Sequence, residues 1–121
     1  MILKNKKVLL VEDYPAWIKI IKEDLGGAAE VLSATTVEEA EKMFEDNPDI
    51  ALIIMDACVP GDEINTLPLV KKIRETFTGP IIAISANDLY RKKLVEAGCT
   101  CECEKKKVRS MIRHLNVLDT L

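Results

Sequence analysis

The chain has 121 residues, of which 48% are hydrophobic and 31% charged, and a net charge of −3. That length suits one domain over residues 1–121 with a real core and no second folded unit, and the ordinary composition excludes a disordered or fibrous chain. The slight acidity argues against a general nucleic-acid binder. The longest apolar run, Ile50 to Met55, is far short of the roughly 20 residues needed to cross a bilayer. Met1-Ile2-Leu3-Lys4-Asn5-Lys6-Lys7 lacks the apolar core of a signal peptide, so a cytoplasmic location without membrane association is expected, with the four cysteines reduced.

In chain order, Val8-Leu9-Leu10-Val11 reads as a buried strand that ends on Glu12-Asp13. Pro15 then sits where a helix can begin, and Ala16, Trp17, Ile20, Ile21 and Leu25 are expected on one face before Gly26-Gly27 stops it. A short strand from Glu30 to Ser33 follows. Thr36-Val37-Glu38-Glu39 has the form of a capping box, with the Thr36 oxygen free to accept an N3 amide and Glu39 able to reach back. Val37, Ala40 and Phe44 give that helix its apolar stripe.

Asn47-Pro48-Asp49 breaks the helix and leads into the run Ile50-Ala51-Leu52-Ile53-Ile54-Met55, which ends on Asp56. After the loop from Ala57 to Asn65, with Pro60-Gly61 inside it, Thr66-Leu67-Pro68 predicts a helix cap and an early helical proline, with the helix running through Arg74. Gly79-Pro80 introduces a fourth apolar run, Ile81 to Ile84, ending at Ser85. A helix from about Asn87 to Ala97 stops at Gly98. A polar strand from Cys99 to Cys103 follows, and Val108, Met111, Ile112 and Leu115 mark a last amphipathic helix.

Five βα units at this spacing predict a parallel sheet with right-handed crossovers and helices on both faces. The second and fifth strands, the least apolar, are its expected edges. In such a sheet ligands bind beyond the carboxyl ends of the strands, which brings Glu12, Asp13 and Asp56 to one pocket. Three carboxylates repel one another unless a positive charge joins them, and an all-oxygen set suits a hard cation such as Mg²⁺. The pattern points to a metal-dependent phosphoryl site.

These residues resemble the receiver domain of two-component response regulators, a flavodoxin-like, doubly wound five-stranded α/β fold, (βα)5, with strand order 2-1-3-4-5. Landmarks along the whole chain carry the resemblance. Glu12-Asp13 matches the family's metal-binding acidic pair, Ile53-Ile54-Met55-Asp56 matches the phosphoryl-accepting aspartate, and Pro60 lies at the expected distance. Ser85-Ala86 fits the hydroxyl residue ending the fourth strand. Lys105 falls at the lysine ending the fifth.

The resemblance implies that Asp56 attacks a phosphohistidine on a sensor histidine kinase or phosphotransfer protein, giving an acyl phosphate. Mg²⁺ would be held by Asp13, Asp56 and a loop carbonyl, placed at Cys58, with Glu12 reaching the metal through water. Lys105 and Ser85 would each contact a phosphoryl oxygen. A downstream protein partner would meet the face formed by the fourth helix, fifth strand and fifth helix, which displays Tyr90, Arg91, Lys93, Glu102 and residues 105–109. No catalysis is expected beyond the domain's own phosphorylation and dephosphorylation, and no direct binding of nucleic acid.

Departures from the family pattern support an alternative, a pseudo-receiver that acts as an interaction module with weak or phosphate-independent switching. Glu102 stands where many receivers carry an aromatic residue. An ionised Glu would lose several kcal/mol on entering an apolar cavity, so Glu102 is expected at the surface, paired with Arg91 or a lysine. Lys106 replaces a proline that follows the lysine with a cis bond, and because a non-proline cis bond costs about 3–4 kcal/mol the expectation is a trans bond, or a strained cis bond retained to aim Lys105. A rival role for Ser85 is to cap the following helix. Cys99, Cys101 and Cys103 alternate and are expected to share one face of the strand as small apolar residues. His114 reads as a partner for the C-terminal dipole of the last helix.

Overall fold

A computed structural model of the chain describes residues 5–27 and 29–120; residues 1–4 of the N-terminal stretch weighed above lie outside that range. Five strands, β1 (Lys7–Val11), β2 (Glu30–Ala34), β3 (Ile50–Asp56), β4 (Ile81–Ile84) and β5 (Cys101–Cys103), alternate with five helices. The helices are α1 (Pro15–Asp24), α2 (Val37–Asp46), α3 (Leu67–Arg74), α4 (Asp88–Ala97) and α5 (Val108–Thr120), the last preceded by a single 3-10 turn at Lys105–Lys107. All strand pairs are parallel, in the order β2-β1-β3-β4-β5. This is the expected flavodoxin-like (βα)5 fold, with the two least apolar strands at the edges. No helix among the described residues is long and apolar enough to cross a membrane.

Alternation along the strands divides the core in two, because successive side chains leave a strand on opposite faces. Leu9, Val11, Ile53, Met55, Ile81 and Ala83 join Ala40 of α2, Val70 and Ile73 of α3 and Leu94 of α4 on one side. Val8, Leu10, Leu52, Ile54, Ile82 and Ile84 join Ile21 of α1 and Val108 and Ile112 of α5 on the other. The central strands β1, β3 and β4 are buried on both faces, which is why they read as unbroken apolar runs.

Several local expectations need correction. Ile18, Ile21 and Leu25 form the inward stripe of the first helical segment, at i, i+3 and i+7, whereas Ala16 and Ile20 are exposed. In the capping box Thr36 Oγ1 accepts from Glu39 N at 3.1 Å, but the Glu39 carboxylate returns one residue further, to the amide and hydroxyl of Thr35 at 3.0 and 2.6 Å. His114 is exposed near the middle of α5, outside the last turn where a helix dipole acts.

β5 begins two residues later than the sequence suggests. Gly98 takes φ of 135°, open to glycine alone, and an added Cβ would approach Arg74 Cγ to 2.8 Å. The chain then spends the Cys99 amide on closing α4, bonded to the Leu94 carbonyl at 3.0 Å, so it cannot start the strand ladder. Cys99 consequently packs into the α2-α3-α4 side of the core while Cys101 and Cys103 face α1 and α5, and the three thiols do not share a face.

Candidate functional site

β1 and β3 lie side by side at the centre of the sheet, with Val11 opposite Met55, so Glu12-Asp13 and Asp56 emerge together at its carboxyl edge. Ser85 follows the end of β4. The 3-10 turn after β5 carries Lys105 back over the same edge. Asp13, Asp56, Cys58, Ser85 and Lys105 line one cavity of about 400 Å³, together with Trp17 and Tyr90.

Glu12 is wholly buried, and its Oε2 accepts from the amides of Asp13 and Tyr14, each at 3.0 Å. Its Oε1 faces Lys105 Nζ at 2.6 Å as an ion pair, yet receives no aligned hydrogen bond from the described residues. Asp56 is also buried; Oδ1 accepts from the Ala57 amide at 2.7 Å and Oδ2 meets Lys105 Nζ at 3.2 Å. One ammonium therefore serves two buried carboxylates, with the half-buried Asp13 beside them.

That imbalance sets the electrostatics. Burial, reinforced by the charge of Glu12, pushes the Asp56 carboxyl up to about 7, and Lys105 only partly offsets it. Burial works against the Lys105 ammonium as well, but its close contact with Glu12 and the charges of Asp56 and Glu12 outweigh it and hold its pKa above the usual lysine range. Burial and then the Asp56 charge raise the Cys58 thiol, so the hard donor this residue could offer a cation is its carbonyl oxygen.

Carboxylate oxygens of Glu12, Asp13 and Asp56 lie within 4.8 Å of one another. Glu12 Oε1 is buried and, among the described residues, meets only the Lys105 ammonium, which Asp56 Oδ2 shares, so the carboxylates outnumber the cation. An all-oxygen, charge-deficient set of this kind fits Mg²⁺.

Ser85 does not cap α4. Asn87 does, its Oδ1 accepting from the amides of Leu89 and Tyr90 at 3.0 and 3.2 Å, while Ser85 Oγ accepts from Asn87 N at 3.1 Å. The Ser85 hydroxyl hydrogen thus remains available to the cavity. Glu102 is partly exposed and paired with Arg91, Nε to Oε1 at 3.3 Å, and the Lys105-Lys106 peptide is trans.

Two features of the site were not read from the sequence. Thr66 occupies the cap position of α3 but does not cap it; its fully buried hydroxyl lies 2.8 Å from the Asp56 carbonyl and 3.1 Å from that of Ala57. Asn65 closes the loop with two 2.9 Å bonds, accepting from the Val59 amide and donating to its carbonyl. Thr-Leu-Pro reads as a cap in either case, so no local signal distinguishes the two uses of the hydroxyl.

No protein-family profile matches the chain. Solved structures do. A protein assigned as a response regulator from Chloroflexus aurantiacus is 27% identical over 96% of this chain and 99% of that one, with a TM-score of 0.78. The chain has the receiver-domain fold of response regulators. The N-terminal receiver domain of RstA from Klebsiella pneumoniae, in a beryllofluoride-activated form, matches at 22% identity and a TM-score of 0.76 over 93% of this chain and 97% of that one. A Vibrio cholerae chemotaxis protein matches at 21% and 0.73 over 96% and 98%. At those identities the last two speak for the receiver fold alone.

Proposed function

We propose that this receiver accepts a phosphoryl group on Asp56 from a phosphohistidine of a sensor kinase or phosphotransfer protein and signals through altered binding to a downstream protein. The observation that carries the reading is the meeting of Asp56 and Lys105 in one cavity at the carboxyl edge of the sheet, with the buried Glu12 paired to the same Lys105 ammonium beneath it. An Asp56 oxygen would attack phosphorus in line with the imidazole nitrogen. The phosphorus–nitrogen bond breaks as the phosphorus–oxygen bond forms, leaving an acyl phosphate on Asp56 and a free imidazole on the donor.

Lys105 already sits 3.2 Å from Asp56 and would follow the added charge, pairing with a phosphoryl oxygen, while the spare hydrogen of Ser85 donates to another. Asp13, Asp56 and the Cys58 carbonyl would hold Mg²⁺, with Glu12 next to it. Bound there, the ion supplies charge neutralisation for the transferred group and keeps Asp56 ionised. Tyr90, Arg91, Lys93 and Glu102 with the exposed residues of the 105–109 stretch would form the face offered to the downstream partner.

The pairing of Glu102 with Arg91 favours one second reading, in which the domain binds its partner without a phosphate-driven switch. Incubation with acetyl phosphate and Mg²⁺, followed by intact mass, separates the two. A receiver that accepts phosphate gains one phosphoryl group. An unchanged mass would leave the interaction module as the better account.

A further inference from the structure

Arg91 stands in the first turn of α4 with its side chain only 13% exposed. Its Nη1 donates to the Ser85 carbonyl at 2.7 Å, and its Nε donates to Glu102 Oε1 at 3.3 Å. Glu102 lies in the middle of β5, opposite Ala83 of β4, and Ser85 is two residues beyond Ala83. One guanidinium thus fastens the end of β4 to β5 across the start of α4. Arginine suits such a task because its planar fork holds two acceptors in fixed directions, which a lysine ammonium does not.

The segment from Ser85 to Asn87 is otherwise secured from its downstream side, by the Asn87 cap on α4 and the Asn87 amide on Ser85 Oγ. Arg91 holds its upstream end, at the peptide that sets where the Ser85 side chain leaves the backbone. We infer that Arg91 is a positioning residue for the Asp56 site: it fixes the Ser85 peptide, Glu102 fixes Arg91, and the Ser85 hydroxyl is thereby kept aimed at the cavity. Glu102 then serves the site through an ionic link in place of an aromatic side chain. The inference rests on the reading of Asp56 as the phosphoryl acceptor.

Titration with beryllofluoride in saturating Mg²⁺ tests it, read through Trp17, the only tryptophan and a residue lining the cavity. Arg91→Ala should bind beryllofluoride roughly tenfold more weakly, while its Mg²⁺ affinity stays at the wild-type value because no metal-binding oxygen is touched. Arg91→Lys should not restore affinity. Glu102→Gln, which keeps an acceptor oxygen, should retain most of it, and Glu102→Ala should lose part. In a Ser85→Ala background Arg91→Ala should cost nothing further, since the route through Ser85 is already gone.

Wild-type affinity in Arg91→Ala, tighter binding, or full additivity with Ser85→Ala would overturn the positioning role. Should Arg91→Ala fail to fold, Arg91→Lys and Glu102→Ala carry the same comparison. A wild-type protein that binds Mg²⁺ but no beryllofluoride would instead remove the phosphoryl-acceptor reading. The tether is measured separately by amide exchange in the anion-free protein: the Asn87 amide, bonded to Ser85 Oγ, should exchange several-fold faster in Arg91→Ala. Unchanged exchange there would overturn the tether itself.

Discussion

Lys105 and Asp56 are 49 positions apart in the sequence and meet at 3.2 Å, Nζ to Oδ2. Nothing local to either residue produces that contact. It arises because β3, β4 and β5 are neighbours in the sheet and the chain turns at the same edge after each of them. A lysine arriving at a buried aspartate that already has a buried glutamate beside it supplies half of the charge the site needs. The remaining deficit is what a divalent cation or a proton would fill.

Asp56→Asn should fold and yet gain no mass on incubation with acetyl phosphate and Mg²⁺. The amide is nearly isosteric, and it removes the nucleophilic oxygen without disturbing the core around β3. A phosphoryl group that still appears on the variant would place the nucleophile elsewhere.

Asp13→Asn should weaken Mg²⁺ binding by roughly tenfold or more, because the substitution removes an anionic oxygen expected to touch the ion. Trp17 fluorescence during a Mg²⁺ titration would report it, and an affinity equal to that of the wild type would remove Asp13 from the ligand set.

The fold was legible because its signals are periodic: three apolar runs buried on both faces, each ending on a polar residue, with amphipathic segments and turn residues between them. Glu12, Asp13 and Asp56 were legible for the same reason, since strand ends converge in a parallel sheet. What could not be read were partners chosen in space. The Thr66 hydroxyl turns to the Asp56 carbonyl and away from its own helix, and Arg91, expected to pair with Glu102 as it does, also reaches the Ser85 carbonyl, which no local signal indicated. The start of β5 was misjudged because the demand of α4 for a closing amide outranks the alternation of Cys99, Cys101 and Cys103.

Lys105→Ala should destabilise the metal-free protein by about 2 kcal/mol at neutral pH, since it leaves Glu12 and Asp56 buried with no cation between them. Saturating Mg²⁺ should return much of that loss by supplying charge at the same oxygens. Urea unfolding with EDTA and with Mg²⁺ measures both effects. A variant as stable as the wild type in EDTA would show that the ion pairs contribute nothing net.

The raised pKa of Asp56 fixes the sign of a pH effect in the metal-free protein. Its carboxyl titrates near 7 when folded, against about 3.8 for the free side chain, because burial and then the Glu12 charge disfavour ionisation. Between those values the native state holds a proton that the unfolded chain has lost. Stability from this group is therefore fully present below about pH 4 and falls as the pH rises through about 7. Other carboxylates set the overall profile, so the comparison is with Asp56→Asn, which keeps those carboxylates and lacks only the one at position 56. From about pH 5.5 to about pH 8 in EDTA, the wild type should lose on the order of 2 kcal/mol more than the variant. The variant should be the more stable of the two at the upper pH. Mg²⁺ should abolish the difference in slope, since a bound cation favours the ionised carboxylate at every pH in the window. Parallel pH profiles for the two proteins in EDTA would show that Asp56 is ionised as easily in the folded chain as in the unfolded one, and the charge deficit assigned to the cavity would have to be given up.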